Sequence, residues 1–319
     1  MSQASEADVT ALRSFLFSNP GKPMVATGSG GAESVADFAA LLYGARGGVG
    51  TAVSPYTMNS FSDEALRTSK QLLVSAGGHN NDIIFAAKRV LGVNPVASAS
   101  LTLSLGERNE VRKIFLKAGS GLSFDIPGER VHDGFVSTGT PLKFFALLCR
   151  AFNPGCDLAK YSEMPLSPFR VELNDGSPLG VEALRGISSL VVLHGSWGRP
   201  VALNLEGKLV ESGLSTAMVS DYRNYCHGRF IYTSNHLEDS AVVMLVSPRE
   251  RDIAERTRKF LPSQTRLVII ETGEDSPDVD FALTGSYEMA AGLAGAKAGA
   301  DRDEIRKTLK SYGYPDILD

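Results

Sequence analysis

The chain has 319 residues, 43% of them hydrophobic and 21% charged, which is enough apolar material for two α/β domains or one large one. Its net charge of −4 excludes a broad basic surface for nucleic acid, so an anionic ligand has to be held by local donors. Cys149, Cys156 and Cys226 are odd in number and lack metal-ligand spacing, and no apolar run of membrane length or export leader is present, so a cytoplasmic protein with reduced thiols is expected, without metal or membrane.

Short apolar runs alternate with longer segments of helical periodicity, the pattern of a parallel sheet with crossover helices. After an N-terminal helical segment at 1–20, strands are predicted at 24–27, 50–53, 71–75 and 95–101, and helices at 33–43, near 62–68, at 82–91 and at 140–152. Asn153-Pro154-Gly155 opens a polar, turn-rich stretch that runs through Asp175-Gly176-Ser177-Pro178 and reads as a domain junction. A second series follows, with strands at 189–193, 216–219, 241–246 and 266–270 and helices at 201–212, 249–261, 287–298 and 302–311. The expected division is a first domain at 21–155, a linker at 156–185 and a second domain at 186–319 ending in a helix. Residues 24–31 and 191–198 each put a Gly-Ser turn after an apolar strand, which points to an internal duplication.

The chemistry concentrates in Glu206-Gly207-Lys208-Leu209-Val210-Glu211, followed by His227-Gly228. Pro200 suits the first turn of a helix and Gly213 its end, so Lys208 and Glu211 share a helical face with Asn204, while Leu205 and Leu209 point to a core. A carboxylate, an ammonium and an imidazole brought together can move a proton between the carbons of an open-chain sugar. The plainer reading is an amphipathic helix with a surface ion pair and a loop histidine.

At these residues the sequence resembles the SIS (sugar isomerase) family, within it the isomerase half of glucosamine-6-phosphate synthase and related sugar-phosphate deglycases and deaminases. That family carries a Glu-Gly-x-Leu-Lys-x-x-Glu-like helix and a downstream Lys-His-Gly. The resemblance implies two SIS-type domains, each a mainly parallel sheet flanked by helices. It implies Glu211 as the base that shuttles a proton between sugar C1 and C2, and His227 as the ring-opening group, in the family often supplied by the neighbouring subunit. Lys208 would offset the charge of the intermediate or tune Glu211. A homodimer or higher homo-oligomer acting on a small carbohydrate derivative, without a cofactor, follows from the same resemblance.

Three loops can be compared with the family's substrate contacts. Thr27-Gly28-Ser29-Gly30 lies in a strand-to-helix turn where backbone N–H groups meet an anion or a sugar hydroxyl. Ser75-Ala76-Gly77-Gly78-His79-Asn80 occupies the place of the family's Ser-Gln-Ser-Gly-Glu-Thr phosphate loop, and Ser137-Thr138 that of its Val-Ala-Ser segment. Gly30, Gly77 and Asn80 stand where the family has hydroxyl residues, so a phosphate is held less well unless His79, Asn80 or backbone amides substitute. His132 and His194 are isolated, without metal-ligand spacing. The expected activity is aldose–ketose isomerisation, or deglycation of a sugar-amine phosphate, through an enediol or enolamine. The alternative is a sensor that binds a phosphosugar or nucleotide sugar without turnover.

Overall fold

In the structure, a computed structural model that describes residues 6–126, 139–156, 170–211 and 215–271 with residues 4, 158 and 213 beside them, the run Met24–Thr27 forms a wholly buried strand, β1. It pairs in parallel with Gly50–Val53 (β2) on one side and Lys70–Ser75 (β3) on the other. Ser98–Thr102 (β4) and Leu122–Asp125 (β5) continue the parallel sheet, giving the order β2-β1-β3-β4-β5. Pro95 starts a short 3-10 turn, so β4 begins at Ser98 instead of at 95. The described residues fall into two compact units, 6–126 with 139–158, and 170–271.

The helices of the first unit are Thr10–Phe17 (α1), Gly31–Ala45 (α2), Pro55–Asn59 (α3), Asp63–Thr68 (α4), Asn81–Val93 (α5), Glu110–Ala118 (α6) and Gly139–Phe152 (α7). Val25 and Leu73 face a core closed by Ile83, Ala86 and Val90 of α5 and Val111 and Phe115 of α6. Met24, Ala26, Leu72 and Val74 alternate with them and face the other side, where α2 packs on α7 through an edge-to-face Phe38–Phe145 pair at 5.2 Å. Lys70 opens β3 with a buried ammonium, which donates to the Phe15 carbonyl at 2.8 Å and so caps the last turn of α1.

The second unit contains Arg170–Leu173 (β6), Pro178–Leu179 (β7), Ser189–His194 (β8), Arg199–Glu211 (α8), Thr216–Asp221 (β9), Phe230–Asn235 (α9), Ser240–Val246 (β10), Arg251–Arg258 (α10) and Arg266–Glu271 (β11). Its sheet runs β7-β6-β11-β10-β8-β9, parallel from β8 to β11, with β6 antiparallel to β11. β6 and β7 lie in the stretch read as a linker. The turn chemistry there is real, with Gly176 at φ +91° and Asp175 Oδ1 accepting from Ser177 N at 2.9 Å, but it joins β6 to the edge strand β7. β9-β8-β10-β11 repeats the order β2-β1-β3-β4 of the first unit.

Each unit is therefore α/β, a mainly parallel sheet flanked by helices, as the resemblance implied. Val201, Ala202, Leu205 and Leu209 of α8 cover one face of the second sheet together with Leu190, Val192 and Val243. Tyr222, Tyr225 and Ala254 cover the other face together with Val191, Leu193 and Val242. No described helix is long and apolar enough to cross a membrane, and no metal-binding cluster occurs among the described residues. The predicted helices at 287–298 and 302–311 lie outside the described residues.

Candidate functional site

In the first sheet the chain leaves β1 toward β2 on one side and β3 toward β4 on the other, so a crevice opens between the carboxyl ends of β1 and β3. Two of the expected loops meet there. Gly28 makes the tight turn after β1, since a Cβ on it would lie 2.5 Å from the Ala32 carbonyl oxygen. Gly30 precedes α2 at φ +56°, a conformation that strains any residue with a side chain, and this accounts for the missing hydroxyl at that position. Among the described residues, Ser29 Oγ is shielded from solvent and finds no hydrogen-bond partner. Thr27 is fully buried, and its hydroxyl donates to the Val53 carbonyl of the paired strand at 2.7 Å.

The loop after β3 is shaped by its own side chains. Ser75 Oγ accepts from Gly78 N at 3.2 Å, which leaves its proton available to a ligand. Asn80 caps α5, its Oδ1 accepting from Asp82 N at 2.8 Å. Gly78 sits at φ +63° beneath the Asn109 carboxamide, whose Oδ1 would be 1.9 Å from an added Cβ. Asn109 is itself fixed: Nδ2 donates to Thr102 Oγ1 at 2.8 Å and to the Ser104 carbonyl at 2.7 Å, and Oδ1 accepts from Arg112 N at 3.0 Å. Asp125 completes the network, accepting from Thr102 Oγ1 at 2.6 Å and Ser123 Oγ at 2.8 Å and pairing with Arg112 at 3.2 Å. Sequence reasoning missed Asn109, Thr102, Asp125 and Arg112 because α6 and β5 were not recognised; the Asn-Glu start of α6 was the available signal. Ser137 and Thr138 lie outside the described residues.

In the second unit α8 carries the expected helix motif. Gly213 ends it at φ +65° and donates to the Val210 carbonyl at 3.0 Å. Lys208 Nζ donates to Oδ1 of the buried Asn204 one turn earlier. Glu211 is exposed at the end of the helix, yet desolvation of its carboxylate pushes its pKa above the ordinary value, and Lys208 opposes that shift. A carboxylate with a raised pKa beside a cation is a suitable carbon base.

His227 is exposed in a π-helical turn, Tyr225–Arg229, where Gly228 takes φ +108°. That turn packs through Tyr225 on the face of the sheet opposite α8. Within one chain α8 groups Lys208 with Glu211, and the sheet lies between them and the turn that bears His227.

The crevice of the second sheet, between β8 and β10, is filled by the chain itself. The Glu250 carboxylate lies against Gly195, where an added Cβ would be 2.0 Å from Oε1, and it accepts from Ser247 Oγ. His194 at the end of β8 is buried, donates Nδ1–H to the Gly195 carbonyl at 2.7 Å, and has its pKa pushed down by burial. The two sheets therefore present different crevices, the first with donors available and the second closed by its own carboxylate.

The architecture is similar to that of solved sugar-phosphate enzymes. Glucosamine-6-phosphate deaminase from Thermotoga maritima superposes with a TM-score of 0.68 at 18% identity, over 95% of this chain and 94% of that one. Tagatose-6-phosphate ketose/aldose isomerase from Escherichia coli gives 0.66 at 17% identity, over 94% and 91%. The C-terminal domain of glucosamine-fructose-6-phosphate aminotransferase from Francisella tularensis gives 0.60 at 12% identity, over 92% and 89%. The chain has their fold. No family model matches it, and no curated protein matches it in sequence.

Proposed function

We propose that this protein is a tandem SIS-type enzyme that isomerises a sugar phosphate, or releases the amine from an amine-bearing one, through an enediol or enolamine intermediate. The observation that carries this reading is Glu211, at the exposed end of α8 one turn from Lys208 and with its pKa raised, on a fold shared with isomerases and deaminases of sugar phosphates. Glu211 takes the proton from the carbon beside the carbonyl or imine and returns it to the adjacent carbon, and Lys208 offsets the charge that develops. Hydroxyl and backbone donors at the first crevice are a candidate phosphate subsite of the first unit. His227 opens the ring from a second copy of the chain, which makes the active species at least a homodimer.

A sensor that binds without turnover is favoured by one observation, Gly77 and Asn80 standing in the hydroxyl positions of the loop after β3. The test is solvent deuterium incorporation into the sugar carbon next to the carbonyl, with ligands first ranked by thermal stabilisation. Exchange supports the enzyme; tight binding without exchange supports the sensor.

A further inference from the structure

The turn that bears His227 is tied together beneath the imidazole. Tyr225 opens the turn and Thr233 lies in α9; both are buried, and the Tyr225 hydroxyl donates to Thr233 Oγ1 at 2.9 Å. This bond brackets His227 and Gly228, the two residues that leave helical geometry, at φ −86°, ψ 37° and φ +108°, ψ −14°. The stem of the turn is held as well: Asp221 Oδ1 accepts from the backbone N–H groups of Arg223 and Asn224, each at 2.9 Å, and the Tyr222 hydroxyl donates to the Leu245 carbonyl of β10 at 2.9 Å. Between these anchors His227 stands exposed. Packing against Val191 and Val242 asks only for an aromatic ring at 225. The hydroxyl pair adds something else, a buried polar contact that selects one geometry of the turn against α9.

We propose that Tyr225 and Thr233 are a positioning pair, whose hydrogen bond holds the turn so that the His227 imidazole is presented in one orientation for opening the sugar ring. This rests on the role of His227 in the proposed function. Opening breaks the C1–O5 bond: the imidazole takes the proton of the anomeric hydroxyl as the carbonyl forms and gives one to the ring oxygen, so the sugar keeps its composition. Neither Tyr225 nor Thr233 touches the reacting atoms. A turn freed from α9 leaves the imidazole in reach for less of the time and slows ring opening. Proton transfer at the carbon by Glu211, carried on the other face of the sheet, is untouched.

The test compares solvent deuterium incorporation, at the carbon next to the carbonyl, into two sugars. Glucose 6-phosphate is almost entirely cyclic; erythrose 4-phosphate, with its phosphate on O4, cannot close a five-membered ring. Wild type, Tyr225→Phe, Thr233→Val, Thr233→Ser, His227→Ala and the double variant Tyr225→Phe/His227→Ala are measured, each with its Tm. Tyr225→Phe and Thr233→Val are expected to slow exchange into glucose 6-phosphate about tenfold through kcat, with KM little changed, and to leave erythrose 4-phosphate within about twofold of wild type. Thr233→Ser keeps the acceptor and most of the rate. Once His227 is Ala, Tyr225→Phe makes no further difference, because the pair then has nothing to position. Equal slowing of both sugars, slowing that adds to that of His227→Ala, or no slowing at all overturns the positioning role and leaves the enzyme reading standing. If wild type exchanges only glucose 6-phosphate, the comparison in the His227→Ala background decides. If wild type exchanges only erythrose 4-phosphate, it opens no ring and the positioning role falls; if it exchanges neither sugar, the proposed function falls too.

Discussion

Glu211 and His227 lie on opposite faces of the second sheet: α8 packs on one face through Leu205 and Leu209, and the turn bearing His227 packs on the other through Tyr225. A proton transfer that needs both residues in one site has to draw them from two chains. Mixing Glu211→Gln chains with His227→Ala chains, each inactive alone, is therefore expected to restore about a quarter of wild-type turnover. Half of the dimers are then mixed, and each mixed dimer holds one intact site. No recovery after exchange of subunits, verified by mass spectrometry, would show that the two residues do not share a site.

Replacing Glu211 by Gln keeps the shape of the site and removes the carbon base. Turnover is expected to drop about a hundredfold or more with little change in ligand affinity, read from deuterium exchange and calorimetry on the same protein. The same variant has a stability signature. The folded pKa of Glu211 lies above its unfolded value, so the unfolded chain loses this proton first as pH rises, and ionisation opposes folding. Urea unfolding should find Glu211→Gln gaining stability relative to wild type as pH rises from 4 to 7.

His194 works in the opposite direction. Burial depresses its folded pKa below the ordinary value, so the unfolded chain takes up the proton first as pH falls. Its contribution is fully present above about pH 6.5 and is lost as pH falls toward the folded pKa. The stability difference between wild type and His194→Gln is expected to shrink between pH 7.5 and 5. A difference independent of pH would mean that the ring does not titrate with folding.

Asn109→Ala removes a fully buried carboxamide that holds Thr102, Ser104 and the start of α6 and lies over Gly78. The expected loss is about 1–3 kcal/mol of stability, since buried partners are left unsatisfied. Ligand affinity should weaken as well, because the turn after β3 loses its cover. Unfolding curves and titration calorimetry on one preparation separate the two effects, and unchanged affinity would show that the loop is held by other means.

Replacing Lys70 by Met keeps the stem and deletes the ammonium that caps α1. The Phe15 carbonyl then loses its donor, and a loss of about 1–2 kcal/mol is expected. Hydrogen exchange should localise the loosening to 10–17. Uniform protection across the first unit would argue against a local capping role.

The alternation of apolar strands with periodic helices was legible because buried parallel strands read as short continuous apolar runs; β1, β8 and β10 follow from that pattern nearly to the residue. The helix motif was equally local, since residues three and four apart share a face whatever surrounds them, and α8 therefore groups Asn204, Lys208 and Glu211 as the spacing required. Three other strands were not legible. β5, β6 and β7 are short and half polar, and only pairing with a neighbour already in place makes them strands. The loop glycines had no local meaning either: Gly77 and Gly78 read as generic turn residues, and only the folded chain shows the His79 ring and the Asn109 carboxamide standing in their Cβ space. Sequence spacing likewise could not show that a sheet comes between Glu211 and His227, because which face a crossover takes depends on strand order, and strand order is a property of the assembled sheet.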